Sequence, residues 1–152
     1  MLASVLSAVH LLTLGIGLGA IFARGRALRG LASGDAGAMK RLFFADNFWG
    51  VAAALWITTG LTRVFGAVEK STDFYLYNVF FWIKMALFAL VFALEVTPMV
   101  TFIRWRTELK RGRTPDTTVA ARFIWINDAE TALVVLIPFA AAAMARGLWL
   151  TT

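Results

Sequence analysis

The stretch "FWIKMALFALVFALEV", residues 81–96, is apolar at every position except Lys84 and Glu95. It belongs to a longer apolar run over residues 78–103, and three more such runs cover 2–23, 42–66 and 124–148. About 20 apolar residues span the hydrocarbon of a bilayer, so each run is long enough to cross. The composition agrees: of the 152 residues 60% are hydrophobic and only 16% charged, against about 25% charged in a soluble domain. Mean hydropathy is +0.74. Backbone that faces lipid must satisfy its own hydrogen bonds, and runs without polar alternation do so as helices. The fold class expected is therefore all-α: an up-down four-helix bundle filling one membrane domain over residues 1–152, with no room for a separate soluble domain.

The basic excess of +6 reads as a topology signal rather than a nucleic-acid surface. Arg24, Arg26, Arg29, Lys40 and Arg41 oppose Asp35 between the first two runs. Arg104, Arg106, Lys110, Arg111, Arg113 and Arg122 oppose Glu108 and Asp116 between the last two. The middle connection holds only Lys70 against Glu69 and Asp73, with Arg63 at its edge. Short Lys/Arg-rich loops stay cytoplasmic, so both termini and the middle loop are expected outside. The first run lacks the basic n-region of a secretory signal and reads as a retained helix. The chain has no cysteine, which excludes disulfides, thiolate metal sites and covalent haem attachment. Trp82, Trp105, Trp125 and Trp149 and the tyrosines of "EKSTDFYLYN" fall near segment ends, where aromatic rings suit the headgroup boundary. Thr114-Pro115-Asp116 has turn chemistry, and Pro98 and Pro138 are expected to kink helices three and four.

Lys84 and Glu95 are eleven residues apart, about three turns, and so share a helix face. An ionisable group at membrane depth costs at least about 2.5–3.5 kcal/mol and marks a candidate functional site. Depth sorts the other polar residues into two tiers. The inner, acidic tier holds Asp46, Asn47, Glu95, Asn127, Asp128 and Glu130. The outer, basic tier holds Lys84, Arg63 and Arg146, with His10 below it. Asp128 and Arg146, eighteen residues apart on helix four, are expected to face the same way. The plainer alternatives pair Asp46, one turn from Arg41–Leu42, with a loop arginine, pair Asp128 and Glu130 with Arg122, and let Lys84 snorkel outward.

His10 is the only histidine. Gly17 follows two turns later on the same stripe, leaving a gap against which a flat macrocycle could lie, so His10 reads as a proximal haem ligand with Lys84, Arg63 and Arg146 receiving propionates. A buried histidine bonded to a neighbouring helix is the structural alternative. One histidine without cysteine does not make a metal-only site. Gly15 and Gly19 form a separate small-xxx-small face suited to helix contact.

"RLFFADNFWGVAAALWITTGLTRVF", "FFWIKMALFALVFALEVTPMVTFIRWR" and the closing "MARG" resemble a family of small bacterial membrane proteins catalogued as domain of unknown function 2214. More distantly, the chain is similar to HemJ-type protoporphyrinogen oxidases and CopD-type membrane domains. The likeness to HemJ rests on His10, the Arg-Leu pair opening helix two, Gly50 and Gly60, Ile83-Lys84, and Asn127-Asp128-Ala129 with Thr131. It implies a haem b on His10 in a bacterial inner membrane, a porphyrinogen as substrate and quinone as electron acceptor. It further implies Lys84 as a propionate or proton-removing group and Asp128 on a proton path. The chain departs from HemJ at "NFWGV", which replaces a Thr-Pro-Gly-Met stretch, at Glu95, which replaces a histidine, and at Trp82 before the Ile-Lys pair. The second function class is a non-enzymatic subunit or assembly factor of a larger membrane complex, binding pigment, lipid or a partner helix. A cofactor-bearing homodimer is a further form to test, and a proton or ion pathway through the acidic tier is the third reading.

Overall fold

A computed structural model of the protein describes residues 1–66 and 70–148, apart from the side chain of Leu2. Glu69 and Trp149 lie outside the described residues. The elements are α1 (Leu2–Ala32), α2 (Ala38–Phe65), a short α3 (Thr72–Leu76), α4 (Val79–Lys110) and α5 (Ala120–Ala145). The four long ones are long and apolar enough to cross a membrane. The fold is an all-α bundle with a lipid bilayer as its environment. α1 packs along α2, α4 along α5, and α1 also against α5. α2 and α4 pack less closely than these pairs and meet through long side chains such as Trp56 and Phe88, whose rings lie 6.1 Å apart.

The helices run past the apolar stretches at the end where the basic loops lie. α1 continues nine residues beyond Ala23 to Ala32, and α4 seven beyond Ile103 to Lys110. Arginine and lysine are good helix formers, so loss of apolar character does not end a helix. The turns end it instead. Gly34 and Gly112 take φ of +81° and +69°, a conformation that favours glycine. In the first turn Asp35 Oδ1 accepts from the Gly37 N–H at 2.9 Å and the carboxylate also pairs with Arg41. Those contacts, the Gly37 N–H first, hold the Asp35 pKa below its ordinary value. Arg41 is thereby engaged with Asp35, and Asp46 pairs elsewhere. Asp116 accepts from the Thr118 N–H at 3.0 Å in the second turn. The middle connection, expected as loop, carries α3, where the Ser71 side chain caps the N–H of Phe74.

Three apolar layers fill the bundle. Ala27, Leu28, Leu42, Phe102, Trp105 and Phe123 form one near the basic loops. Ala20, Ile21, Trp49, Val91 and Val134 form the middle one, and Val64, Tyr75, Phe81 and Met144 close the far end. Trp105 and Tyr75 are therefore core residues rather than boundary anchors, because their helix faces point inward. Trp82, Trp125 and Tyr77 are exposed. Helix continues through Pro98 and Pro138.

The α1 stripe sets how closely its neighbours approach. A Cβ at Gly17 would meet Ala52 Cβ at 3.5 Å and the Trp49 ring at 3.7 Å, an ordinary contact. At Gly25 it would lie 2.6 Å from Asn127 Nδ2, which donates to Ile21 O and must give way. Gly25→Ala is expected to cost about 1–3 kcal/mol as overpacking, while Gly17→Ala is neutral or slightly stabilising because alanine favours helix. Thermal unfolding of the two variants in detergent checks the contrast.

Candidate functional site

Positions 13, 17, 20, 21, 24 and 28 of α1 are buried, a stripe at helical spacing. Its charged member is Arg24, 1% exposed. Sequence reading had placed Arg24 in the first basic loop; it lies inside the bundle, since the helix does not stop at Ala23. Its guanidinium spends its N–H groups on three helices. Nε donates to Asn127 Oδ1 at 2.8 Å, Nη1 to both Glu95 oxygens at 2.9 and 2.8 Å, and Nη2 to Glu130 Oε2. Asp46 on α2 lies 3.6 Å from Nη1. The Trp49 ring covers the guanidinium at 5.4 Å, and its Nε1 donates to Glu95 Oε2 at 3.1 Å. A planar five-donor fork suits such a set, where an ammonium would not.

Of the expected acidic tier, Asp46, Glu95, Asn127 and Glu130 meet at this one cation. Asn47 is at the rim, exposed, and accepts from Arg106 at 3.0 Å. Arg106 also donates to Asp46 Oδ2 at 2.8 Å and to Phe43 O at 3.3 Å. Asp128 is not part of the cluster. It pairs at 2.7 Å with Arg29 on the bundle surface, the two side chains 45% and 52% exposed. Glu130 pairs with Arg24, so the expected Arg122 pairings give way to contacts with α1. One sequence signal pointed to Arg24: it stands seven residues beyond Gly17 on the stripe of His10.

The second polar locus lies nearer the other end. His10 is half-buried in the seam of α1 and α2, with Nδ1 2.7 Å from Thr59 Oγ1 and its ring 5.8 Å from that of Trp56. Thr59 Oγ1 also lies 2.7 Å from Leu55 O, to which it must donate its single proton. The imidazole is then the donor to Thr59, so Nδ1 carries hydrogen and Nε2 the lone pair. His10 Cε1 would be 3.8 Å from a Cβ at Gly60. The expected gap at Gly17 is filled by Trp49 and Ala52, because this stripe is the packing face toward α2. Lys84 is only partly exposed and sits 5.5 Å above the Phe81 ring. Arg146 is the exposed C-cap of α5. Among the described residues no group of three or more His, Asp or Glu side chains is placed to hold a metal ion.

A family model described as "Predicted membrane protein (DUF2214)" matches residues 2–148. The chain belongs to that family. No curated protein and no solved structure matches it. The matched range takes in both polar loci and all four long helices.

Removing the cation should expose how much the cluster holds. Arg24→Leu leaves Glu130 buried without its cation and is expected to cost about 3–5 kcal/mol or prevent folding. Arg29→Leu breaks only the exposed pair and should change stability by at most about 1 kcal/mol. Folded yield by gel filtration and detergent melting curves separate the two.

Proposed function

We propose that the protein is a membrane redox protein that takes a b-type haem at His10 and, as the HemJ likeness implies, oxidises a porphyrinogen or exchanges electrons with a quinone. The observation that carries the reading is the His10–Thr59 contact. Histidines that ligate metals donate one ring N–H to a neighbour, which fixes the tautomer and turns the other nitrogen toward the metal. Thr59 holds His10 Nδ1 in that manner. The donor set thus fits a haem ligated by one imidazole, although the ring would not lie against Gly17. His10 would hold the iron, and Lys84 and Arg63 supply positive charge suited to carboxylate substituents. A bound haem would supply one-electron chemistry. The chain's own contribution is to orient His10, to place cations at one end, and to keep Trp56 and Phe88 packed over the seam.

The test is an absorption spectrum of detergent-purified protein from haem-replete cells, oxidised and dithionite-reduced. A Soret band is expected, abolished by His10→Ala. Thr59→Val, which keeps the shape and removes the acceptor, should weaken retention of the haem about 10–100-fold, the usual effect of losing such an outer partner. An unchanged spectrum in His10→Ala overturns the reading.

A second reading, a non-enzymatic subunit or assembly factor that binds a partner helix, pigment or lipid, has one observation in its favour. A Cβ at Gly15 or Gly19 would touch nothing within 4 Å, so this small-residue face of α1 is bare. Shallow apolar grooves lined by Ala8, Leu11, Leu12 and by Ala23, Phe44, Phe48 flank it. Stoichiometric copurification of another membrane chain with no haem band would put this reading first.

A further inference from the structure

We propose that the Arg24 cluster binds one proton, shared between the carboxyl groups of Glu95 and Glu130, and is a protonatable site inside the membrane. The proposal stands apart from the haem reading and uses none of its residues.

The first argument is a charge count over every element packed around the site. α1 contributes Arg24; α2 contributes Asp46, with the neutral Asn47 at the rim; α4 contributes Glu95 and Arg106; α5 contributes Glu130 and the neutral Asn127. Two cations thus face three carboxylates, an excess of one negative charge. The nearest other ion pair, Arg29–Asp128, is balanced within itself. An uncompensated charge in a low-dielectric interior costs several kcal/mol, and a carboxyl group escapes that cost by taking a proton.

The proton belongs to the two acids that lack a cation of their own. Asp46 has a cation of its own in Arg106 at 2.8 Å. Glu95 and Glu130 instead divide a single guanidinium, one on Nη1 and the other on Nη2. Glu130 is 0% exposed, and its Oε1 is buried without a hydrogen-bond donor among the described residues. Two carboxylates dividing one guanidinium relieve the excess charge by sharing a proton, and that proton supplies the donor that Glu130 Oε1 lacks. A metal cation is disfavoured in the same place by the guanidinium already in contact with both acids.

The third argument concerns access. Apolar side chains of Leu28, Leu42, Phe102, Trp105 and Phe123 and of Ile21, Val91 and Val134 pack in two buried layers of the bundle. Exposure lies sideways instead: Glu95 is 16% exposed, Asp46 12% and Arg106 28%. These three belong to α2 and α4, which meet through side chains more than through close backbone packing. A hydronium ion reaching the Asp46–Arg106 rim passes its proton to the Glu95 carboxylate and leaves as water. The cluster goes from one negative charge to neutral, and no electron moves.

Infrared spectra of the full chain in lipid nanodiscs at pH 7, prepared in H2O and in D2O, test this. The expected result is a carbonyl band of a protonated carboxylic acid that moves down in D2O. It should vanish in both Glu130→Gln and Glu95→Gln, because either change balances the cluster at zero and leaves no proton to share. It should persist in Asp128→Asn, which alters only the surface pair. Should Glu130→Gln fail to fold, Glu95→Gln, at the more exposed partner, supplies the comparison. A wild-type protein without the band, or a band that survives in either folded variant, overturns the proposal.

Discussion

A guanidinium that cannot be deprotonated has been placed inside a bundle built for hydrocarbon, and its five N–H groups must all find acceptors there. Arg24 draws four side chains from the other three long helices: Asp46 from α2, Glu95 from α4, and Asn127 and Glu130 from α5. In lipid the apolar surfaces of helices have little reason to prefer one another over acyl chains, so packing and polar contacts choose the arrangement. Here the polar contact lies where α1, α2, α4 and α5 come together. It fixes helix rotation as well as helix order, because a turn of any one of them would leave a buried charge unmatched.

The neighbouring residues follow from the same constraint. Asn127 must present its oxygen to Arg24, and its amide then reaches Ile21 O at 3.2 Å, which requires that residue 25 have no side chain. Trp49 stands beside the cation and donates to Glu95, so the same residue that fills the Gly17 notch also covers the charge. The apolar layers on either side hold water away. Where α2 and α4 separate, Arg106 and Asn47 carry the polar set toward the surface.

His10 lies fourteen residues before Arg24, about 21 Å along the helix. The bundle therefore carries two polar loci on one stripe of α1, an imidazole near one end and an ion-pair cluster nearer the other. A redox centre at the first and a proton site at the second would be joined by the packed column of Thr13, Gly17, Ile21 and Trp49.

Length and hydropathy determined the number of long helices and the all-α class, because a bilayer sets a minimum span and forbids unpaired backbone. The intramembrane polar residues were legible for the same reason: charge among apolar neighbours is conspicuous in a sequence, and Asp46, Glu95, Asn127 and Glu130 stood out without coordinates. Arg24 did not stand out, since it is followed by other arginines and sits where apolar character ends. Composition marks where a helix leaves hydrocarbon, whereas only the glycine turn at Gly34 marks where the helix stops. Partners were equally out of reach. Asp46 meets Arg106 sixty residues away and Glu130 meets Arg24 across a distance of 106 residues, while the nearby Arg41 and Arg122 do not serve them. The Gly17 stripe read as a vacancy because the absence of a side chain says nothing of what approaches it. Tertiary packing decided that Trp49 does, and that Asp128, which depth alone grouped with the inner acidic tier, faces outward to Arg29.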